Sequence, residues 1–355
     1  MLKVEVLTLE DSAAWHEALP AAYSVFGSYE FTQINHVHFG YEPRLFVLTV
    51  DDSRVVYPIF LRSLKSLPFV PNGSVAKWDT STPEFTGPMQ LRGVVTPSLQ
   101  QAFAESFSQY CREEGIVAEF AHLHPWNSPT HLLEPSCLEF NREIVYVDLT
   151  LSEDQLWRES FTHACRKNIN RSRQEHVRVF EAACQRDIEE FHRLYIGTMD
   201  RNQAQGKYYF PVGYFQGFLE KAPQHARFVL AEYKGQTIAA VLYLHDDADV
   251  YSYLGGADFN FQNARPTNAV VYDTILWAKT HGKKRLILGG GYRPNDGIFL
   301  FKASFSPLCA KFYVYKRIHS PELYARLCQE WDQHFHCEPV TDGAFPGYRN
   351  IPNSR

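Results

Sequence analysis

The residues best able to do chemistry sit in a few short stretches. Lys302 stands alone among aromatics in Phe299-Leu300-Phe301-Lys302-Ala303-Ser304-Phe305, just after Gly289-Gly290-Gly291. A lysine charge in a dry pocket can stabilise a developing oxyanion or a phosphate; on an open surface the same side chain would simply snorkel. The glycine triplet matches neither a GK[ST] loop nor GxGxxG. Asp79 opens Asp79-Thr-Ser-Thr-Pro83-Glu-Phe85-Thr-Gly87-Pro88, where the prolines and Gly87 shape the backbone into a pocket wall or a rigid turn. Taken alone, the turn is the simpler reading. His122 and His124 lie two apart and would share a side if a strand continued through them. Apart from the remote His131 no third ligand has metal-like spacing, so no metal is expected, and a histidine lining a cleft or capping a turn is the better reading.

Further along, Arg201 in Thr198-Met199-Asp200-Arg201-Asn202 is suited to bidentate anion binding or to an internal pair with Asp200 or Asp187. Tyr251 and Tyr253 alternate on a strand beside Gly255-Gly256 and so share a face. They could hydrogen-bond a sugar or acyl group where the glycines admit a close approach. The window Arg158–Arg178 holds six basic residues (158, 166, 167, 171, 173, 178) against Glu159 and Glu175. Such a window attracts phosphates or forms a solvated helix face, and charge alone does not choose.

The chain that must position these residues has 355 residues, 45% of them hydrophobic and 21% charged. That apolar content supplies more than one core and excludes a largely disordered chain. No apolar run approaches the roughly 18 residues of a membrane span. The start, MLKVEVLTLED, reaches acidic residues before a secretory segment could form, so a cytoplasmic protein is expected. Seven cysteines without a CxxC read as reduced thiols. The formal charge of -5 hides a split. Residues 1–150 hold 9 basic against 18 acidic residues, and residues 151–355 hold 26 against 22. This is no general nucleic-acid-binding composition, so DNA is not an expected partner. A phosphorylated small molecule or the end of an RNA remains compatible with it.

Hydrophobic periodicity predicts helices near 12–19, 99–114, 187–202, 211–221, 267–281 and 321–335, a basic helical stretch over 153–175, and strands between them. Each half runs from helices into antiparallel strands, then a helix, then a further strand. The pattern is α+β and unlike a βαβ dinucleotide unit. Two copies of one small mixed fold explain it economically, with domains at 1–150 and 151–320 and a C-terminal helix and tail, 321–355, packing back on them.

Several segments together resemble the FemAB-like branch of the acyltransferases, proteins built from two GNAT-type domains. The branch includes peptidoglycan bridge-forming aminoacyltransferases and polysaccharide-cluster acetyltransferases of the CelD type. DTSTPEFTGP (79–88), FAHLHPWN (120–127), ACRKNINRSRQEHVRV (164–179), TMDRNQAQGKYYF (198–210), RPTNAVVYDTILWAKTHG (265–282) and LGGGYRPNDGIFLFKASFS (288–306) are similar to its signatures and occur in its order. The resemblance implies two tandem GNAT-like domains and transfer of an acyl or aminoacyl group to an amine. The donor would be acyl-CoA, such as acetyl-CoA, and the acceptor a phosphorylated or nucleotide-linked sugar or another peptidoglycan-type envelope precursor. Charged transfer RNA as donor (the FemX-like alternative) and a non-catalytic scaffold that binds glycan precursors or proteins are the rival readings. Either a monomer or a dimer would serve.

Carried onto this chain, the resemblance puts Lys302 at the donor end. Asp79 or His124 would accept the proton, and Lys167, Arg171, Arg201, Tyr251, Tyr253 and Asp296 would hold the acceptor. A standard GNAT domain wraps the CoA pyrophosphate with QxxGxG/A at a helix start. Here residues 262–267 read QNARPT, with both glycine-type positions replaced. Arg265, with Thr267 and Asn268 in the first helical turn, would take the cofactor there.

Overall fold

A computed structural model describes residues 2–19, 23–70, 76–93, 95–128, 130–336 and 345–350. The chain forms two compact units, one of residues up to Asn141 together with those from Phe312, the other Arg142–Lys311.

In the first unit, β1 (Leu2–Leu7) leads to α1 (Ser12–Ala18) and α2 (Tyr29–Phe39). The Ser28 side chain caps α2 by accepting from Phe31 N, and Gly40 ends it at φ 66°. A tight turn at Asp51 joins β2 (Glu42–Val50) to β3 (Ser53–Ser63), and β4 (Trp78–Ser81) and β5 (Met89–Arg92) follow. Thr96 caps α3 (Pro97–Glu114) with Pro97 at its first position, and Gly115 stops it. Its buried Leu99, Phe103, Phe107 and Tyr110 recur at helical spacing and meet Phe46 and Tyr57 of the sheet. β6 (Ile116–His122) and β7 (Leu138–Asp148) come next.

The second unit takes the end of β7, then α4 (Glu153–Gln155), a π-helical turn over Leu156–Ser160 and α5 (His163–Gln174). The single helix expected over 153–175 breaks at Phe161-Thr162 because the Thr162 side chain accepts from Cys165 N at 3.2 Å and starts α5 afresh. The order continues β8 (Arg178–Glu181), α6 (Gln185–Arg201), α7 (Val212–Lys221), β9 (Ala226–Tyr233), β10 (Gln236–His245), β11 (Asp249–Ala257), α8 (Pro266–Thr280), β12 (Arg285–Gly289), α9 (Gly297–Ala303), β13 (Cys309–Ile318) and α10 (Pro321–Phe335).

Each unit repeats one topology. The first has strand order β1-β2-β3-β4-β6-β13, antiparallel except for the parallel pair β4/β6. The second has β8-β9-β10-β11-β12-β7, antiparallel except for the parallel pair β11/β12. A helix, α3 or α8, supplies the crossover into the parallel partner, as parallel pairing requires. The fold is therefore α+β with tandem GNAT-like sheets.

The expected boundaries at 150 and 320 lie beyond the observed divisions because β7 and β13 are shared strands. Arg142–Asp148 completes the second sheet, and residues from Phe312 complete the first. α10 buries Leu327 and Trp331 with Leu64, Leu67 and Val117 of the first unit, while residues 337–344 and 351–355 of the expected tail lie outside the described residues. No helix among the described residues is long and apolar enough to cross a membrane.

Gly256 of β11 lies against the backbone of α6: a Cβ there would stand 2.1 Å from Leu194 O. Gly256→Ala should therefore lower unfolding stability by about 1–3 kcal/mol, the usual cost of overpacking, with an unchanged slope in urea. A variant as stable as wild type would show that α6 shifts freely off the strand.

Candidate functional site

The second sheet opens where its parallel pair ends. β11 and β12 pair over only Asp249–Tyr251 against Arg285–Ile287. Beyond that, β11 runs on to Ala257 beside β10, and Gly289 of β12 pairs with Val145 of β7. Between the diverging strands the β11/β12 ladder therefore stops, while each keeps its other neighbour. On β11 the step from Ser252, opposite Tyr243, to Leu254, opposite Leu242, leaves Tyr253 as an extra residue. Such a bulge re-aims a side chain and terminates regular pairing. The Tyr253 hydroxyl lies 2.8 Å from that of Tyr214 on α7.

The start of α8 stands at the end of β11. Arg265 takes a left-handed conformation (φ 56°), and Pro266 opens the helix. Such a conformation is strained in a residue with a side chain, by roughly 1–3 kcal/mol. The first backbone bond of the turn runs from Ala269 N to Arg265 O at 3.3 Å. The N–H groups of Thr267 and Asn268 consequently have no acceptor in the helix and carry its positive dipole end. Asn268 is only 5% exposed, and its Nδ2 has no hydrogen-bond partner among the described residues. A buried donor without a partner is costly, and one facing a cavity marks a place for a ligand acceptor. The cavity is there: about 190 Å³, lined by Arg201, Phe259, Arg265, Thr267, Asn268 and Phe301 among others. Arg201 does not pair with Asp200 or Asp187 through a hydrogen bond. It donates to Ala257 O at 3.0 Å and lies over the Phe259 ring, which holds its charge at the cavity.

Lys302 lies on α9 beside Phe301. Its Nζ donates to Gly290 O at 2.7 Å, at the end of β12. Burial pushes its pKa down to about 8, with the Asp296 charge opposing that shift and Arg142 adding to it. Asp296, expected to hold the acceptor, instead builds the turn. One oxygen caps α9 by accepting from Phe299 N at 2.8 Å, and the other accepts from Tyr292 N and Arg293 N at 2.7 and 2.9 Å. Those backbone donors hold its carboxyl below the usual range. This capping is why residues read as loop form α9.

A second, larger cavity of about 790 Å³ runs between α5 and the segment before α8. It brings together Lys167, Arg171 and Arg265, with Trp157, His163 and Asn263, which the sequence reading passed over. Arg265 lines both cavities.

Other expectations need correction. Tyr251 is 1% exposed and its hydroxyl donates to buried Asp246 at 2.9 Å, so it is a core residue and only Tyr253 remains near the gap. In the first unit, Asp79 is fully buried and each of its oxygens meets an arginine: Oδ1 accepts from Arg62 Nε at 2.7 Å, Oδ2 from Arg349 Nε at 2.6 Å. His124 is buried as well, and its Nδ1 accepts from Trp126 N and Asn127 N, capping the turn after β6. Neither group, so committed, is poised to take a proton. Among the described residues no three His, Cys, Asp or Glu side chains come together as a metal set.

Comparison with known proteins bears on the fold. Residues 160–296, which lie within the second unit, match the family model described as the acetyltransferase (GNAT) domain. The crystal structure of FemX is similar to the chain at 12% identity with a TM-score of 0.68, covering 91% of this chain and 99% of that one. A conserved protein of unknown function from Bacteroides thetaiotaomicron is similar at 13% identity and a TM-score of 0.58, covering 89% and 99%. A tandem GNAT protein from the clavulanic acid biosynthesis pathway is similar at 8% and 0.50, covering 90% and 99%. At such identities the likeness is one of fold. No curated protein matches the sequence significantly. The match thus places an acetyltransferase (GNAT) domain in the second unit, and the solved structures share the tandem GNAT-like fold of the whole.

Proposed function

We propose that the second unit is an N-acyltransferase that moves an acyl group from acyl-CoA to an amine, acting in the cytoplasm on a phosphorylated or nucleotide-linked sugar or a related envelope precursor. The observation that carries the donor assignment is the start of α8. Two helix N–H groups and Asn268 Nδ2, which has no partner among the described residues, meet at one cavity where Arg201 and Arg265 stand against a single carboxylate, Asp258, whose Oδ1 already accepts from Asn260 N at 2.9 Å. A pyrophosphate supplies the acceptors they lack. Arg265 thus stands where a standard domain has a glycine-type residue, contributing a charge and keeping the left-handed backbone.

The reaction needs an amine to attack a thioester carbonyl, forming a C–N bond as the C–S bond breaks, with the proton the amine loses ending on the departing thiolate to give the free thiol. The bulged β11 and Gly289 at the end of β12 line the route for the extended arm of the donor, and holding both partners together supplies much of the rate. Lys302 provides positive charge for the oxyanion or the donor phosphate. The acceptor class rests on the resemblance of the 198–210 and 288–306 segments to the FemAB-like signatures, and the exposed Tyr292 and Arg293 beside Lys302 are compatible with it.

Calorimetric titration with acetyl-CoA should give saturable, micromolar binding. Asn268→Asp, which keeps the shape but sets a carboxylate against the phosphates, should weaken it by at least about tenfold. Mass spectrometry of incubations with nucleotide-linked amino sugars should then show acylated product. No binding of acetyl-CoA, together with an aminoacyl-transfer activity destroyed by ribonuclease, would overturn the donor assignment.

A further inference from the structure

The 790 Å³ cavity between α5 and the α8 segment has a composition that the pyrophosphate site does not use up. Its stripe His163, Lys167 and Arg171 stands at i, i+4 and i+8 on α5, so the three side chains rise along one face over about 12 Å. Arg265 faces it from the α8 side, and no carboxylate among the described residues lines the cavity. Lys167 and Arg265 form no ion pair with a described residue, whereas Arg171 has Glu175 one turn on. Partly exposed Trp157, with the Arg173 guanidinium 5.6 Å from its ring centroid, and exposed Asn263 complete the wall with an aromatic face and an amide. Two cations without a counter-charge among the described residues, a third in an exposed pair with Glu175, an aromatic ring and an amide suit a phosphorylated nucleoside: charge for phosphate, a surface for base stacking and hydrogen-bonding groups for the base edge.

We infer that this groove holds the 3′-phosphorylated adenosine end of the donor, with Lys167 and Arg171 on its 3′-phosphate. The inference rests on the acyl-CoA reading and deepens it. Arg265 is the joint, because it lines both cavities, so a ligand with its pyrophosphate at the start of α8 needs no gap to continue toward α5. The basic helix, which the family resemblance assigns to the acceptor, thereby becomes a donor element. It compensates with side-chain charge for the glycine-type backbone turn that QNARPT lacks.

The test compares acetyl-CoA, its 3′-dephospho form and S-acetyl phosphopantetheine by calorimetry, with wild type and a Lys167→Ala/Arg171→Ala double variant. Both residues are exposed, so the fold should survive, which circular dichroism checks. Wild type should prefer acetyl-CoA over the dephospho form by about tenfold, or about 1.4 kcal/mol. The double variant should lose that preference and bind the phosphopantetheine thioester as wild type does. Equal affinity of wild type for the first two, or a preference that survives in the double variant, overturns the inference while leaving the donor reading intact. If no thioester binds wild type, the donor reading fails and adenosine 3′,5′-bisphosphate decides the groove: binding that the double variant loses supports a nucleotide site. Binding of only a short RNA ending in adenosine, or of neither probe, overturns it.

Discussion

Lys302→Met is expected to lower kcat by about 10²–10³-fold, the usual cost of removing one donor to an oxyanion, with the KM for the acceptor nearly unchanged. Methionine keeps the length and apolar stem of the side chain, so α9 should stay packed. What disappears is the charge beside Gly290 at the end of the diverging strands. Steady-state kinetics with the identified acceptor checks the split: equal losses in kcat and in acceptor affinity would make Lys302 a binding residue. The pH profile adds an independent readout. Burial lowers the Lys302 pKa to about 8, so a role that needs the ammonium form predicts a rate that falls as pH rises through about 8, a fall absent in Lys302→Met. Stability should move the opposite way. A lysine whose pKa is lower in the folded than in the unfolded chain is a destabilising charge below pH 8, and the penalty is relieved as pH climbs from about 8 toward the ordinary value of 10.5. Lys302→Met is therefore expected to raise Tm at pH 7 and to lose that advantage at pH 10. Activity and stability moving in opposite directions is the mark of a charge kept for function.

Much of this architecture is readable in the chain because its signals are local. Thr96-Pro97 and Gly115 bracket α3, Pro266 opens α8, and the apolar faces of α3 and α6 repeat at helical spacing. The repeated order of antiparallel strands, helix and further strand discloses two copies of a fold. What cannot be read is any property set by partners distant in sequence. The exchange of β7 and β13 between sheets moves both domain boundaries, and nothing at 141 or 311 differs locally from an ordinary strand. The same limit governs the site. Lys302, Arg201, Arg265 and Asn268 stand out as single charged or polar residues in apolar or helix-opening contexts, and those contexts are local. The fates of Tyr251, Asp296, Asp79 and His124 depend on what each one bonds. A carboxylate three residues before Phe299 is a cap signal that was legible in Asn295-Asp296-Gly297 and was outweighed by the glycine triplet preceding it. The α5 groove escaped because its two walls come from segments almost a hundred residues apart in sequence.

Asp79→Ala is expected to cost about 3–5 kcal/mol of stability while leaving the turnover of the folded fraction within a few-fold of wild type. Asp79 is fully buried, and among the described residues it is the one carboxylate paired with two partly buried guanidinium groups: Arg62 on β3 and Arg349 in the turn over Gly347–Arg349. Arg349 also donates to Arg62 O and Ser63 O, so the carboxylate and two carbonyls hold one guanidinium between them. Removing the carboxylate leaves two charges in a poorly hydrated pocket, which is why breaking a buried pair costs far more than the pair itself contributes. Arg349→Ala should cost less, because one arginine still balances Asp79. The double variant Asp79→Ala/Arg349→Ala should be more stable than additivity allows, with a coupling above about 1 kcal/mol. Urea unfolding of the three variants measures this, and additive losses would show that the two side chains do not act as a unit. Asp79→Asn separates structure from chemistry, since it keeps the shape and removes the charge. A general base at this position would give a folded Asn variant with kcat reduced by about 10²-fold or more. A structural anion gives a destabilised protein whose surviving molecules turn over normally, and the two arginines on its two oxygens favour that outcome.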